Sequence, residues 1–311
     1  MSVYTCTFNL AIDLFIETDE MKPFKVNRTN DDEIQANGKG VNVSLIMKQL
    51  GINNTALGFK AGFTGDYIED YLHQQEIGTD FISVPGMTRI NVFTQVNKKN
   101  EEFKLVNKGP EISQKKINSL LNQIKKLQAG DYLCVSGSLP RGVSPEIFVD
   151  ISRICFEKQV NLIIDSSYPE VLECLSYQPF LLKPNEEELQ SWYHTELNSR
   201  EEYISYAKRL IADGAKNVFL SLGEEGGVLL TKDAVYSGNS PKGQVVNTAC
   251  AGDTLLGTFL AGHLKGEELA TNLKKSLAAG SSTAFRKGLT DFSDVVELEK
   301  QIEIKEGAYK K

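Results

Sequence analysis

The turn Ala251-Gly252-Asp253, inside VVNTACAGDTLLGTFLAGHL at residues 245–264, is where residue types in this chain point most directly to chemistry. The β-branched pair Val245-Val246 reads as the end of a strand. Small residues then turn the chain, and Leu255, Leu256, Phe259 and Leu260 recur at helical spacing. The turn therefore opens a helix, with Cys250 leading into it. The first N–H groups of a helix lack internal acceptors and carry partial positive charge, so an anion can dock there. Asp253 sets a carboxylate among those donors; taken alone, it reads as a helix-stabilising acid of the first turn.

Other constellations lie upstream. Gly38-Lys39-Gly40, in ANGKGVNVSLIMKQLG at 36–51, opens a helix whose Val41, Leu45, Ile46 and Leu50 face inward and which Gly51 closes. It is neither a Rossmann fingerprint, because Val43 holds the third glycine position, nor a Walker A loop, because Gly40 follows Lys39 where Ser or Thr should hold magnesium. A cation and an amide, Asn42, remain at a loosened helix start. Arg89 and Asn91 share one face of a strand, and Lys104 lies on the returning strand. Together the two cations suit a phosphate dianion, or else they are the solvated charges of an edge strand.

SGSLPRG at 136–142, with Ser138, follows the strand YLCV and is rich in backbone donors. In LLKPNEEEL at 181–189 a buried strand delivers Lys183 and Pro184 ends it. Asn185 and Glu188 then stand three apart, as oxygens that hold water around magnesium or as an N-cap with an acidic first turn. SLGEEGG at 221–227, with Ser221 and Gly223, forms a Gly-rich turn against a nucleotide or a plain hairpin turn. LAAGSSTAF at 277–285 puts Gly280 among small residues on a helix, which admits an adenine ring or a neighbouring helix.

The elements that must position these groups follow an order. From about residue 110, a helix face (Ile117, Leu120, Leu121, Ile124, Leu127) precedes strand 132–136, helix 145–158, strands 161–165 and 179–183, helix 201–213, strands 217–222 and 227–231, and helix 252–264. Strands separated by helices predict an α/β fold, a mainly parallel sheet covered on both faces, with ligands at the strands' carboxyl ends. Two segments break the rhythm: TRINVFTQV at 88–96 with EEFKLV at 101–106 predicts a hairpin, and 13–36 shows short alternation without a helix. They are expected to form a small β lid, residues 13–36 and 87–107, on a core of 1–12, 37–86 and 108–311.

Composition excludes several classes. A formal charge of −7 removes the broad basic field of a nucleic-acid binder. Five dispersed cysteines without a CxxC suggest neither a disulfide framework nor a zinc site, and His73, His194 and His263 lie far apart. The opening MSVYTCTFNLAIDLF has no basic segment leading into a long apolar run, and no stretch approaches a membrane span. The expectation is a cytoplasmic protein with reduced thiols and no nucleic-acid or membrane partner.

NGKGVNV, TRIN, SGSLPRG, KPNEEEL, SLGEEGG and CAGDT, in this order and at these separations, resemble the PfkB/ribokinase family of carbohydrate kinases, over a span from the N-terminus to beyond residue 285. NLAID, VNR at 26–28, TRIN and EFKLVNKGP are most similar to its phosphosugar branch, the 1-phosphofructokinases and tagatose-6-phosphate kinases. The resemblance implies a ribokinase-like fold with a β lid, and ATP and magnesium as cofactors. It also implies a ketohexose monophosphate as acceptor: fructose 1-phosphate first, tagatose 6-phosphate or fructose 6-phosphate as alternatives.

By the same resemblance Asp253 is the base, and the Ala251, Gly252 and Asp253 amides cradle the transferring phosphoryl. Asp13, Gly38, Lys39 and Asn42 match sugar contacts, while Arg89, Lys104 and Ser138 match contacts to the phosphate already present. Lys183, Ser221, Gly223, Asn247 and Gly280 match the nucleotide side, and Asn185 and Glu188 the hydrated magnesium. Leu10, Asn37 and Cys250 depart from the family pattern, standing where a proline and two glycines are usual. From Cys250, near a helix N-terminus, partial thiolate character is expected. A sugar-phosphate sensor without turnover is the rival reading, and pairing of two copies through exposed lid strands is a further expectation.

Overall fold

The computed structural model describes residues 1–308. In chain order the first part runs β1 (Val3–Thr7), β2 (Ala11–Thr18), β3 (Asp31–Asn37), α1 (Lys39–Gln49), β4 (Thr55–Lys60), α2 (Gly62–Gln74), β5 (Gly78–Ser83), β6 (Arg89–Val96) and β7 (Glu101–Leu105). Then follow α3 (Gln114–Ile124), β8 (Tyr132–Ser136), α4 (Ile147–Lys158), β9 (Asn161–Asp165), β10 (Leu181–Leu182), α5 (Glu186–Tyr193), α6 (Arg200–Asp213) and β11 (Asn217–Ser221). The chain closes with β12 (Gly227–Thr231), β13 (Ala234–Gly238), α7 (Ala251–Leu264), α8 (Leu269–Ala284), α9 (Val295–Glu299) and β14 (Ile304–Ala308).

The large sheet has the order β14-β13-β12-β11-β10-β9-β8-β1-β4-β5, parallel from β11 to β5 and antiparallel beyond β11. Alternation along each strand splits the core in two. Leu162 and Ile164 face the layer of α3, α4, α5 and α6, whereas Ile163 between them faces α1, α7, α8 and α9. This is the ribokinase-like α/β fold, a mainly parallel sheet with helices on both faces. From β1 the chain lays strands outward through β4 to β5, then crosses to β8 on the other side of β1, so the order reverses between β1 and β8. Ligand crevices form at the strand ends beside such a reversal.

The smaller sheet is separate, with order β3-β2-β6-β7. Its central pair β2 and β6 is parallel, and Phe15 stacks on Phe93 with ring centroids 5.0 Å apart. The expected hairpin is present, turning through Asn97–Lys99 and a left-handed Asn100.

Val245-Val246 is a correction: no strand forms there, and both side chains are exposed. Their β-branching reads as strand, but no strand lies beside them to pair with. The Val246 and Asn247 N–H groups both donate to the Ala284 carbonyl at the end of α8 instead. Among the described residues no helix is long and apolar enough to cross a membrane, and all five cysteines are free.

Candidate active site

α7 begins at Ala251 with no side-chain cap; the Ala251 N–H makes a long bond to the Thr248 carbonyl at 3.4 Å, and no side chain closes off the N–H groups of Gly252 and Asp253. It is buried continuously from Asp253 to Gly262 because it is apolar nearly all round and lies against both α1 and α8. Glycine makes those approaches close. A Cβ on Gly257 would stand 2.8 Å from Ile46 Cγ2 and 3.2 Å from the Val43 carbonyl oxygen, both on α1. A Cβ on Gly280 would stand 3.2 Å from the Ala251 oxygen. The atoms nearest Gly280 belong to α7, the Ala251 oxygen and the Leu255 side chain, so the small residue lets these two helices approach.

The α1–α7 contact sets two side chains together. Asn42 Nδ2 donates to Asp253 Oδ2 at 2.8 Å, and both residues are buried. Burial pushes the Asp253 carboxyl up to about 6; Lys39 opposes that, the Asp165 charge adds to it, and the Asn42 bond and Lys183 oppose it. This carboxylate is therefore ionised at neutral pH yet basic enough to accept a proton.

Asp165, at the carboxyl end of β9 and fully buried, is the residue that sequence reasoning missed. Its Oδ1 lies 3.2 Å from both Lys39 Nζ and Lys183 Nζ, while its Oδ2 has no partner. Burial pushes this carboxyl up, but the Lys183 and Lys39 ammonium groups outweigh that and hold it below its ordinary range. Lys39 is raised by Asp165, Glu188 and Asp253 against its own burial. Lys183 Nζ lies 3.3 Å from where a Cβ on Gly252 would stand, directly at the open turn of α7. The visible signal was an acid ending the buried run LIID at a strand's carboxyl end.

Asn185 and Glu188 resolve in favour of the cap. Asn185 Oδ1 accepts from Glu188 N at 2.7 Å and Glu188 Oε2 accepts from Asn185 N at 3.0 Å, a reciprocal capping box on α5. Only Glu188 Oε1 faces elsewhere, 3.6 Å from Lys39 Nζ. Among the described residues no group of three His, Cys, Asp or Glu could cage a metal. The hard oxygens Glu188 Oε1 and Asp165 Oδ2 fit a hydrated magnesium better than a dedicated cage would, while Asn185 Oδ1 is already engaged in the cap.

Asp13, on β2, accepts from Asn91 Nδ2 at 2.8 Å and from Asn37 Nδ2 at 2.5 Å. Burial raises its carboxyl although Asn91, Asn37 and Arg89 all oppose the rise. Arg89 is braced by the carbonyls of Asn9 and Asn107 at 3.1 and 3.2 Å and reaches Ser138 Oγ at 3.5 Å. The 136–142 loop also passes Lys39, because a Cβ on Gly137 would meet the Lys39 Cβ at 3.6 Å. Lys104 shares the sheet face of Arg89, since it pairs with Phe93, but its ammonium pairs with Glu102 at 3.1 Å instead.

Ser221 Oγ lies 3.4 Å from the Pro184 oxygen, so the 221–227 turn sits beside the start of α5, and a Cβ on Gly223 would be 3.8 Å from Glu186 Oε2. Asn247, on the loop before α7, accepts from Ala249 N. Gly38 precedes α1 with φ 138°, and a Cβ there would stand 2.8 Å from Thr7 Cγ2.

Cys250 overturns one expectation. Its backbone is left-handed at φ 64°, which favours glycine. Its thiol is not activated, because burial and the neighbouring Asp253 charge push it up to about 12. Open helix-end donors are outweighed by an adjacent anion and the loss of water. A cavity of about 640 Å³ bounded by β3, α1, α2 and residues 287–289 reaches this site only at Asn42 and Cys250, away from Arg89 and Lys183.

The model of the pfkB family carbohydrate kinases matches residues 5–295. A D-tagatose-1-phosphate kinase of Bacillus licheniformis is 46% identical over 303 residues, covering 97% of this chain and 99% of that protein. A 1-phosphofructokinase of Bacillus subtilis is 34% identical over 302 residues, with the same coverage of 97% and 99%. A Staphylococcus aureus protein crystallised as a candidate phosphofructokinase superposes with a TM-score of 0.88 at 33% identity, over 98% of this chain and 99% of that one.

Proposed function

The chain belongs to the pfkB family of carbohydrate kinases, and from that premise we propose that it transfers the γ-phosphoryl of ATP to O6 of a ketohexose 1-phosphate, with Asp253 as the base. The two relatives above act on sugars that carry their phosphate at C1, and the 46% identity puts tagatose 1-phosphate ahead of fructose 1-phosphate. Tagatose 6-phosphate and fructose 6-phosphate, which would enter with the opposite end first, fall behind both.

The observation that carries this reading is the carboxylate of Asp253 at the uncapped start of α7, with two lysines converging on Asp165 beside it. Asp253 takes the proton of the sugar hydroxyl. The freed oxygen bonds to the γ-phosphorus as its bond to the β-bridging oxygen breaks and ADP leaves with that electron pair. The loose transition state spreads charge over the phosphoryl oxygens, which the Ala251, Gly252 and Asp253 amides and the Lys183 ammonium face. Lys39, Gly38, Asn42 and Asp13 line the sugar; Arg89 and Ser138, with Lys104 once released from Glu102, hold the 1-phosphate. Ser221, Gly223 and Asn247 lie along the nucleotide. Glu188 and Asp165 would face the magnesium that accompanies ATP, which would supply charge neutralisation.

The exposed strand β7, with Phe103 and Leu105 open to solvent, is an edge on which a second copy can pair, giving a particle of twice the 34.5 kDa chain mass in sedimentation.

The deciding experiment measures ADP release by the purified protein with each of the four ketohexose phosphates. Turnover is expected with the 1-phosphates, and Asp253→Asn should lose at least about 10³-fold in kcat while folding and substrate binding persist. Binding without turnover would turn the reading to a sensor. Full activity of Asp253→Asn would remove the base.

A further inference from the structure

Asn37 ends β3, where the small sheet passes into α1 of the core. Its side chain is held on both sides. Nδ2 donates to Asp13 Oδ2 at 2.5 Å and lies 3.7 Å from Cys250 Sγ; Oδ1 accepts from Gly38 N at 2.6 Å and from Asn42 Nδ2 at 2.8 Å. Asn42 Nδ2 in turn donates to Asp253 Oδ2 at 2.8 Å and stands 3.2 Å from Cys250 Sγ.

The direction of this chain of bonds is forced by its ends. An ionised carboxylate only accepts, so each amide beside one must turn its NH₂ toward it. Asn37 spends its NH₂ on Asp13, which leaves its oxygen for Asn42. Asn42 then has one hydrogen for Asn37 and one for Asp253. No other side chain as short as this offers both a donor for Asp13 and an acceptor for Asn42 at the observed separations. Glycine or alanine would leave Asn42 held by Asp253 and the Cys250 sulfur without Asn37 to fix its second hydrogen, and aspartate would set a second anion against Asp13. The sulfur of Cys250 lies against both amides and flanks the chain where Asn42 meets the 640 Å³ cavity.

We propose that Asn37 is a positioning residue that couples Asp13 of the small sheet to Asp253 of the core through Asn42, so that a sugar seated on Asp13 reaches the base. The proposal rests on the reading of Asp253 as the base. Besides Asn42, the groups facing Asp253 are Lys39 from α1, Asp165 from β9, Lys183 just beyond β10 and Cys250 from the loop before α7. None of these is bonded to Asn37 except the Cys250 sulfur, and Arg89 faces the Asp13 end.

The test is the pH profile of kcat/KM for wild type, Asn37→Ala, Asn42→Ala and the double variant, with Asn37→Ser in reserve should the alanine variant fail to fold. In Asn37→Ala the unheld Asn42 gives up part of its bond to Asp253. The acid limb should therefore move up by about half a unit or more, with kcat down by roughly tenfold. The double variant should have the acid limb of Asn42→Ala alone, because Asn42 is the residue through which Asn37 is bonded to Asp253. An acid limb that stays in place while the melting temperature falls, or two additive shifts, would overturn the coupling. If the wild-type protein turns over none of the ketohexose phosphates, the kinase reading falls separately. Calorimetry of sugar-phosphate binding in two buffers then reads proton uptake, and equal uptake by wild type and Asn37→Ala sinks the coupling.

Discussion

The chemistry of this site is carried by charges whose values are set by one another, and Asp165 is the one that Lys39, Lys183 and Asp253 share. At saturating magnesium, removing its charge has two separable effects. Asp165→Asn takes away a negative neighbour that raises Asp253, so the acid limb of kcat/KM should move to lower pH, by up to about one unit. That is opposite in sign to the shift expected from Asn37→Ala. The same change releases Lys39 and Lys183 from their shared oxygen, and kcat should fall by roughly 10²-fold as fixed cations become mobile ones. A pH–rate series on the variant reads both. A limb that moves up would show that Asp165 does not raise Asp253, and a rate within twofold of wild type would show that it does not hold the lysines. In the unaltered protein the limb itself should lie near pH 6, where Asp253 loses its proton.

At the scale of elements, the distance between Asn42 and Asp253 is the packing distance between α1 and α7, and glycine at 257 permits it. Gly257→Ala puts a methyl 2.8 Å from Ile46 Cγ2 and 3.2 Å from the Val43 oxygen, so the helices must part by a few tenths of an ångström. Overpacking of that kind costs about 1–3 kcal/mol. Because it stretches the Asn42–Asp253 bond, kcat should drop while ATP affinity holds; thermal melts and steady-state kinetics on the same preparation check both. α7 itself was legible in the sequence, because its apolar spacing continues for three turns after Gly-Asp, and so were β8, β9, β11 and β12. β13 and β14 were not. They form the antiparallel edge, where short strands with half-exposed faces lose the apolar run that marks a central strand. Val245-Val246 misled for the converse reason, since β-branching reports suitability for a sheet and says nothing of a neighbour to pair with. The loops of the site could be ordered along the chain from their motifs. What bonds to what across more than 100 residues, Asp165 with Lys39 or Cys250 with Asn42, depends on where the sheet and α7 bring them, which spacing along the chain does not encode.

For the molecule as a whole, the strand ends beside the β1/β8 reversal, the start of α7 and the small sheet must all meet at one buried carboxylate, and that burial is costly. A carboxyl whose folded pKa is raised binds its proton more tightly in the native state than in the unfolded one. Stability therefore falls as pH rises through the window between the ordinary Asp value of 3.8 and the folded value of about 6. A shift of about two units at 1.36 kcal/mol each puts the cost of holding Asp253 ionised at about 3 kcal/mol above pH 6. Asn carries no charge at any pH, and its side-chain oxygen can still accept from Asn42. Asp253→Asn should thus melt with the wild-type protein near pH 4 and above it at pH 8, by several degrees for a chain of this size. The variant that abolishes turnover would be the more stable protein, as expected where a site is built against its own stability. Calorimetry of both proteins at the two pH values decides it. Equal melting at pH 8 would mean that Lys39, Lys183 and Asn42 compensate the buried charge in full, and the acid limb of the rate profile would then have to lie well below pH 6.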